Sequence, residues 1–403
     1  MTMSREPFRR TAPARSAGPR IGAISAFLAL LVLASPSARA EAPTADQLHA
    51  IRDKVATHFK TLNCPGAVFG VYAGADLKPL VELELGFADE AESRPISLKD
   101  HFRLASITKL FVGTVVLQLV DAGQLRLDDP VSKYVPQVPN GENITIRMLG
   151  FHTSGLANLI ANREFQKAIA AEPSRTWRTD ELLKYAFDMK PLFPPGKGWM
   201  YSNTNTIVLG EVIAKVTGHP WYEEIEKRIL KPLKLRETGH PSSYQLPAPA
   251  PSGYRYGQKE NLVRYGDVWY DATKWSASWA GAAGDLYGTL PDLAKFTRAA
   301  GRGELVSAGS RKVLFDWIDT KHEGIEYGFH IARIQGGIGS LGDMPGFSAF
   351  AFYIPESDVT VVCLANLTAT IEKRTVASEL GEPTMEILTK IKAINEEPHA
   401  KPK

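Results

Sequence analysis

Cysteine is scarce in this 403-residue chain: Cys64 and Cys363 are its only two. That excludes a disulfide-stapled scaffold and a cysteine-built zinc centre. The nine histidines are scattered without metal-ligand spacing. No apolar run reaches the ~18 residues that a bilayer span needs. No Gly-x-x-x-x-Gly-Lys-Ser/Thr loop occurs to cradle a phosphate. Net charge is also small, with 47 Lys and Arg against 44 Asp and Glu, a formal +3. Six arginines and one glutamate fall in residues 1–40, which leaves 41 basic and 43 acidic groups in the remainder. Without a basic stripe there is nothing to displace phosphate counterions, so nucleic acid is excluded as a partner.

The N-terminus reads as a leader. Arg5, Arg9, Arg10, Arg15 and Arg20 precede the apolar run Ile21 to Leu33, and Ala38-Arg39-Ala40 supplies small residues for cleavage. Residues 1–40 are therefore expected to be a signal peptide removed before Glu41, placing a mature 41–403 domain in the periplasm or medium with no stable membrane span. Arg9-Arg10 permits a twin-arginine route, but the flanking Phe8 and Thr11-Ala12-Pro13 fit the general secretory one better. In an exported chain a Cys64–Cys363 bridge is chemically permitted. Each thiol nevertheless lies in or beside a segment of strand character, where cysteine serves as a small hydrophobe.

Elements follow from the apolar periodicity. Asp46 to Leu62 carries apolar residues at helical spacing, and Ala67 to Tyr72 with Val81 to Phe87 reads as a strand hairpin. Helical windows then dominate, among them Ser106 to Ala122, Thr179 to Met189, Thr206 to Val216 and Pro291 to Ala300. Strands resume at Tyr327 to Gln335, Gly346 to Tyr353 and Val359 to Leu364, and Val376 to Ile394 closes the chain as a helix. Length alone allows two to three units. The element order instead predicts one α+β domain: a five-stranded antiparallel sheet from about 41–105 and 320–395, flanked by terminal helices, with a large mostly helical region at about 106–319. Its seam is the natural place for a cleft.

Two short motifs could do chemistry there. In Ser106-Ile107-Thr108-Lys109 the hydroxyl and amine are three apart at the start of a helix, hence on one face. Burial would lower the amine's pKa and let it act as a base for the serine. In Tyr201-Ser202-Asn203 the phenol and amide alternate about one residue, so an extended backbone points both into one crevice. Either motif alone is more readily a surface helix or a turn that satisfies its own backbone. Together, in order with Leu149-Gly150-Phe151-His152-Thr153-Ser154-Gly155-Leu156, Pro195-Gly196, Lys231-Pro232-Leu233 and Pro345-Gly346-Phe347-Ser348, they resemble the serine beta-lactamase and penicillin-binding-protein superfamily. The likeness runs from about Ala67 to Asn366. It is nearest to the branch of class C beta-lactamases, DD-carboxypeptidases and esterases, where Tyr-x-Asn forms the second motif.

The resemblance implies a beta-lactamase/transpeptidase-like fold and an acyl-enzyme mechanism. Ser106 corresponds to the nucleophile, Lys109 to its base, Tyr201 to the second acid/base group and Asn203 to the orienting amide. The backbone N–H groups of Ser106 and Asp343 correspond to the oxyanion hole, and Ser340 and Gly342 to the substrate-binding third motif. No cofactor or metal is implied. Relatives carry Lys or His where this chain has Ser340, so the usual cation for a substrate carboxylate is missing. His330, Arg333 and Lys274 are the candidates to replace it. His152 is expected to form a turn, and Trp199, Trp275 and Trp279 are candidates to line the cleft. The expected activity is an exported serine hydrolase on small-molecule or peptide carbonyls. Carboxylic esters rank ahead of D-amino-acid peptides, and those ahead of beta-lactams. A non-catalytic peptidoglycan-ligand receptor of the same fold is the alternative, and oligomeric state is left open.

Overall fold

A computed structural model describes residues 42–258, 266–322, 324–370 and 372–389. The leader expected over residues 1–40 and the end of the closing helix lie outside them. The first helix, α1 (Ala45–Phe59), begins at a capping box in which Thr44 and Gln47 satisfy each other's backbone N–H groups. It turns Ile51 and Val55 inward. The hairpin β1 (Gly66–Ala73) and β2 (Lys78–Gly86) follows. After the helical region come β3 (Ile318–Asp319), β4 (Ile325–Tyr327), β5 (Ala332–Ile334), β6 (Gly337–Met344), β7 (Phe347–Ile354) and β8 (Val359–Ala365). Their order in the sheet is β2-β1-β8-β7-β6-β5-β4-β3, with every neighbour antiparallel. The first hairpin is thus zipped to the last strand, and both ends of the described chain build one sheet, as the element order implied.

Alternation along the strands divides two cores. Phe69, Val71, Phe350, Phe352, Val361 and Cys363 face α1 and the closing helix Val376–Thr389. Val68, Ala349, Ala351, Val362 and Leu364 face the helical region, where Leu290–Gly301 lies against the sheet and Thr108–Asp121 belongs to the same core. Both faces being covered, β7 is buried at every position, and the hydroxyl of its one serine, Ser348, is satisfied by Leu367 O and the Ala377 N–H. Burying an apolar side chain contributes on the order of 2 kcal/mol, so these central strands rather than the short β3, β4 and β5 hold the sheet.

The sheet has eight strands, not five. Gly336 to Gly339 reads as a connection, yet β6 begins at Gly337 and needs glycine to lie close to its neighbours. A Cβ on Gly339 would stand 1.9 Å from the Ala351 carbonyl oxygen, and one on Gly337 2.8 Å from Met385 Sδ. The single strand expected over Tyr327 to Gln335 is two, β4 and β5, broken by a turn in which His330 takes a positive φ of 58°. Two residues of β3 are too few to leave a periodic signal. Both cysteines are free thiols. Cys363 is fully buried, and Cys64 Sγ donates to the Gly66 carbonyl at 3.3 Å. Burial pushes the Cys64 thiol up to about 12. No helix among the described residues is long and apolar enough to cross a membrane.

Two small pairings shape the seam. Phe102–Arg103 pairs with Tyr287–Gly288, and Tyr254–Gly257 pairs with Val268–Asp271. The first draws the lead-in to Ser106 against the segment that follows Ala283, where Leu104 N–H donates to Leu286 O at 2.9 Å.

Candidate active site

Ser106 lies in a 3-10 turn, Ala105–Ile107, that runs directly into α2 (Thr108–Asp121). The preceding Ala105 is buried with φ of 48°, a left-handed conformation that costs a non-glycine residue on the order of 1 kcal/mol. The surrounding packing fixes this turn. A Cβ on Gly342 would sit 2.4 Å from Leu104 O and 3.2 Å from Ala105 Cβ, so only glycine lets β6 lie against the turn. Gly342→Ala is therefore expected to cost about 2 kcal/mol of stability and, by shifting Ser106, about 10²-fold in turnover. Urea melts and ester hydrolysis on the same preparation check both numbers.

Lys109 is 1% exposed. Its Nζ donates to Ser106 Oγ at 3.0 Å and to the Ala283 carbonyl at 2.7 Å, and it lies 4.9 Å from the centre of the Tyr201 ring. Burial lowers its pKa from the ordinary lysine value to about 7, with nearby Asp343 opposing the shift. A neutral amine can therefore take the serine proton near neutral pH. The Tyr201 phenol hydrogen-bonds to Ser106, and burial raises its pKa, so it stays protonated. Ser202 is extended, and Asn203 opens α3 (Asn203–Thr217) just after it, which aims Tyr201 and Asn203 at one space.

That space is a cavity of about 160 Å³. Ser106, Tyr201, Asn203 and Asp343 all line it, together with Trp279, Ala280, Ala283 and Gly284. Four of the sequence-predicted residues are thus brought together, and Lys109, outside the lining, reaches Ser106 through its hydrogen bond. Ser340 and Gly342 precede Asp343 on β6 and lie outside the lining. Ser340 Oγ donates to Leu341 O at 3.2 Å. Thr368 Oγ1 donates to Met344 O at 2.7 Å and accepts Gly346 N–H at 2.8 Å, tying down the turn after Asp343.

None of the three candidate replacement cations lines the cavity. His330 is buried, and burial with nearby Lys109 lowers its pKa to about 3, so it is uncharged. Arg333 bonds to Glu326 across β4 and β5. The guanidinium in the lining belongs instead to Arg255, which is 1% exposed and stacks over Trp275 at 5.8 Å. Its segment, Gly253-Tyr254-Arg255-Tyr256-Gly257, reads as a loop in sequence, and no local pattern points it at Ser106. The Ala283 carbonyl carries no sequence signal at all. Of the tryptophans, Trp279 lines the cavity, Trp275 backs Arg255, and Trp199 packs near His152 and Tyr327. Two larger depressions, around His240 and Asp285 and around Glu326 and Arg333, lack a serine beside a buried amine. Among the described residues no group of His, Cys, Asp or Glu is gathered to hold a metal ion.

The sequence model of the beta-lactamase family matches residues 51–383. Among individual proteins, Bacillus subtilis PbpX, named as a penicillin-binding protein, is 28% identical over 315 residues, 78% of this chain and 73% of that one. Esterase EstB of Burkholderia gladioli is 33% identical over 190 residues, which span 43% of this chain and about half, 47%, of the esterase. The crystal structure of a D-stereospecific amidohydrolase from Streptomyces sp. superposes with a TM-score of 0.71 at 28% identity, covering 82% of this chain and 98% of that one. With the family matched over most of its length, and a buried lysine beside a serine at the seam of the matching fold, the chain belongs to the beta-lactamase family and is a serine hydrolase.

Proposed function

We propose that this protein hydrolyses carboxylic esters or amides through a covalent acyl-enzyme on Ser106. The observation that carries the reading is Lys109 Nζ, 3.0 Å from Ser106 Oγ, buried and held near a pKa of about 7. Ser106 Oγ attacks the substrate carbonyl carbon while its proton passes to Lys109. The backbone N–H groups of Ser106 and Asp343 receive the oxyanion. Collapse of the tetrahedral species breaks the bond to the leaving group, which takes a proton by way of the Tyr201 phenol. Asn203 orients the acyl carbonyl. Water, deprotonated by the same groups, then attacks the ester on Ser106, releases the acid and restores the hydroxyl.

The lining supports a ranking of substrate classes. An apolar cavity of about 150 Å³ takes a benzene-sized guest, so this one suits a short acyl group. Ser340 offers no cation, which supports neutral esters first, a chemistry named for EstB. A second reading, D-amino-acid amides or peptides, is supported by the polar lining of Arg255 and Asp343, and the Streptomyces protein named above is a D-stereospecific amidohydrolase by its title. The proposal includes export, supported by the arginine-rich start, the apolar run Ile21 to Leu33 and Ala38-Arg39-Ala40.

A fluorophosphonate probe tests the centre: mass spectrometry should place one adduct on Ser106, and an unlabelled serine would reject the reading. A panel of short nitrophenyl esters, D-amino-acid amides and a fluorescent penicillin then ranks the substrates. The pH profile has a stated sign. Acylation requires neutral Lys109, so its rate should climb as pH rises through about 7. Because Tyr201 is pushed above the ordinary phenol value, no falling limb is expected below pH ~10. A rate already flat from pH 5 to 9 would assign the base elsewhere.

A further inference from the structure

His152 takes no part in the steps just described, yet it is fully buried with its ring 4.7 Å from that of Tyr201. Its Nδ1 accepts from Asn205 Nδ2 at 2.9 Å and from the Ser202 N–H at 3.3 Å. A chain of donors fixes these directions. Leu156 N–H donates to Ser154 Oγ at 3.0 Å, and that hydroxyl donates to Asn205 Oδ1 at 2.5 Å, which turns the amide nitrogen of Asn205 toward the ring. A main-chain N–H can only donate, so Nδ1 carries the lone pair and Nε2 the hydrogen. The carbonyl of His152 also accepts the Met200 N–H at 3.1 Å. One residue therefore grips the chain immediately before and immediately after Tyr201, while its ring packs against that side chain.

We infer that His152 is a positioning residue for Tyr201, its imidazole serving as a fixed hydrogen-bond acceptor and never as an acid or base. The inference rests on the proton-carrying role given to Tyr201 above. The groups around the ring agree with it. Tyr201, Tyr327 and His330 lie within 4.7, 5.2 and 5.0 Å between ring centres, and no carboxylate is among the ring's partners in the described residues. Burial, together with His330 and Lys109, holds the imidazole uncharged far below the ordinary histidine range. A protonated ring would lose both acceptor bonds at once.

Asparagine provides the decisive variant. Its Oδ1 stands at the same remove from the backbone as Nδ1, accepts but cannot titrate, and it tolerates the positive φ of 58° at this position. Hydrolysis of a short nitrophenyl ester, normalised to sites titrated by the fluorophosphonate, is compared for wild type, His152→Asn and His152→Ala, together with hydrogen exchange at the Ser202 amide. His152→Asn should keep kcat within about threefold. His152→Ala should lose about 10²-fold in kcat with little change in KM, since a displaced phenol weakens the transition state rather than binding. Exchange at Ser202 should quicken about tenfold or more in the alanine variant and return toward wild type with asparagine. Asparagine as impaired as alanine would show that the ring does acid/base work, and an alanine variant with unchanged kcat per titrated site would show a mere filler. Either result overturns the inference. Should the alanine variant fail to fold, His152→Gln, whose oxygen reaches one bond too far, gives the same contrast. The exchange arm reads the clamp even if Ser106 proves unreactive, so failure here and failure of the acyl-enzyme reading are separable.

Discussion

Replacing Ser106 with alanine should reduce hydrolysis of short acyl nitrophenyl esters by on the order of 10⁴-fold or more, to a residue of catalysis that needs no nucleophile. The size of the loss follows from covalent chemistry: without Oγ no acyl-enzyme forms, and Lys109 has only water to activate. The fold should survive, because Ser106 spends its hydroxyl on Lys109 and Tyr201 rather than on the core. Thermal melting within a few degrees of wild type, no burst of nitrophenol and no fluorophosphonate adduct would together make the case. Activity within tenfold of wild type would refute the nucleophile.

Lys109→Met should act on activity and stability in opposite directions. Removing the base should cost about 10³-fold in kcat, within the range for a positioned proton acceptor. Stability should rise, because a buried ammonium is disfavoured and methionine fills the same space without a charge. The pH dependence carries the sign. The pKa of Lys109 is depressed in the fold, so between about 7 and the ordinary lysine value the unfolded chain binds more protons than the native one. Wild-type stability therefore increases with pH across that window. The destabilising contribution is complete at pH 7 and below, and it fades toward the pKa of a free lysine. The methionine variant should accordingly be more stable by about 1–3 kcal/mol at pH 6, part of the gain being offset by the Ala283 carbonyl left without its donor. That advantage should shrink as pH approaches 10. Urea titrations of both proteins at pH 6, 8 and 10 measure it, and an advantage that grew with pH would contradict a buried, depressed amine.

The proposed oxyanion donor on β6, the Asp343 N–H, was legible only by resemblance. In the chain, Gly342-Asp343 sits in a glycine-rich stretch that reads as a connection, whereas in the fold β6 approaches Leu104 and Ala351 so closely that a side chain on Gly342 or Gly339 would collide with their carbonyl oxygens. Arg255 shows the same limit. A lone arginine between two tyrosines has no periodicity that separates a solvated loop from a buried guanidinium, and its place beside Ser106 depends on how a short strand pair folds over the cavity.

By itself the sequence determined whatever is local or periodic. Ser106 and Lys109 share a face because three residues make nearly one helical turn, and Tyr201 and Asn203 share a side because an extended step separates them. Alternating and continuous apolar runs likewise set which strands lie between two helical layers. Tertiary structure alone decided how many strands the sheet holds, which cation enters the cavity and what holds Tyr201 in place. Those outcomes depend on contacts between residues far apart in the chain, as when Asn205, Ser202 and His152 meet, and on water excluded from around Lys109. Exclusion of water is a property of the packed whole, and it is what lowers the pKa of an ordinary amine to about 7.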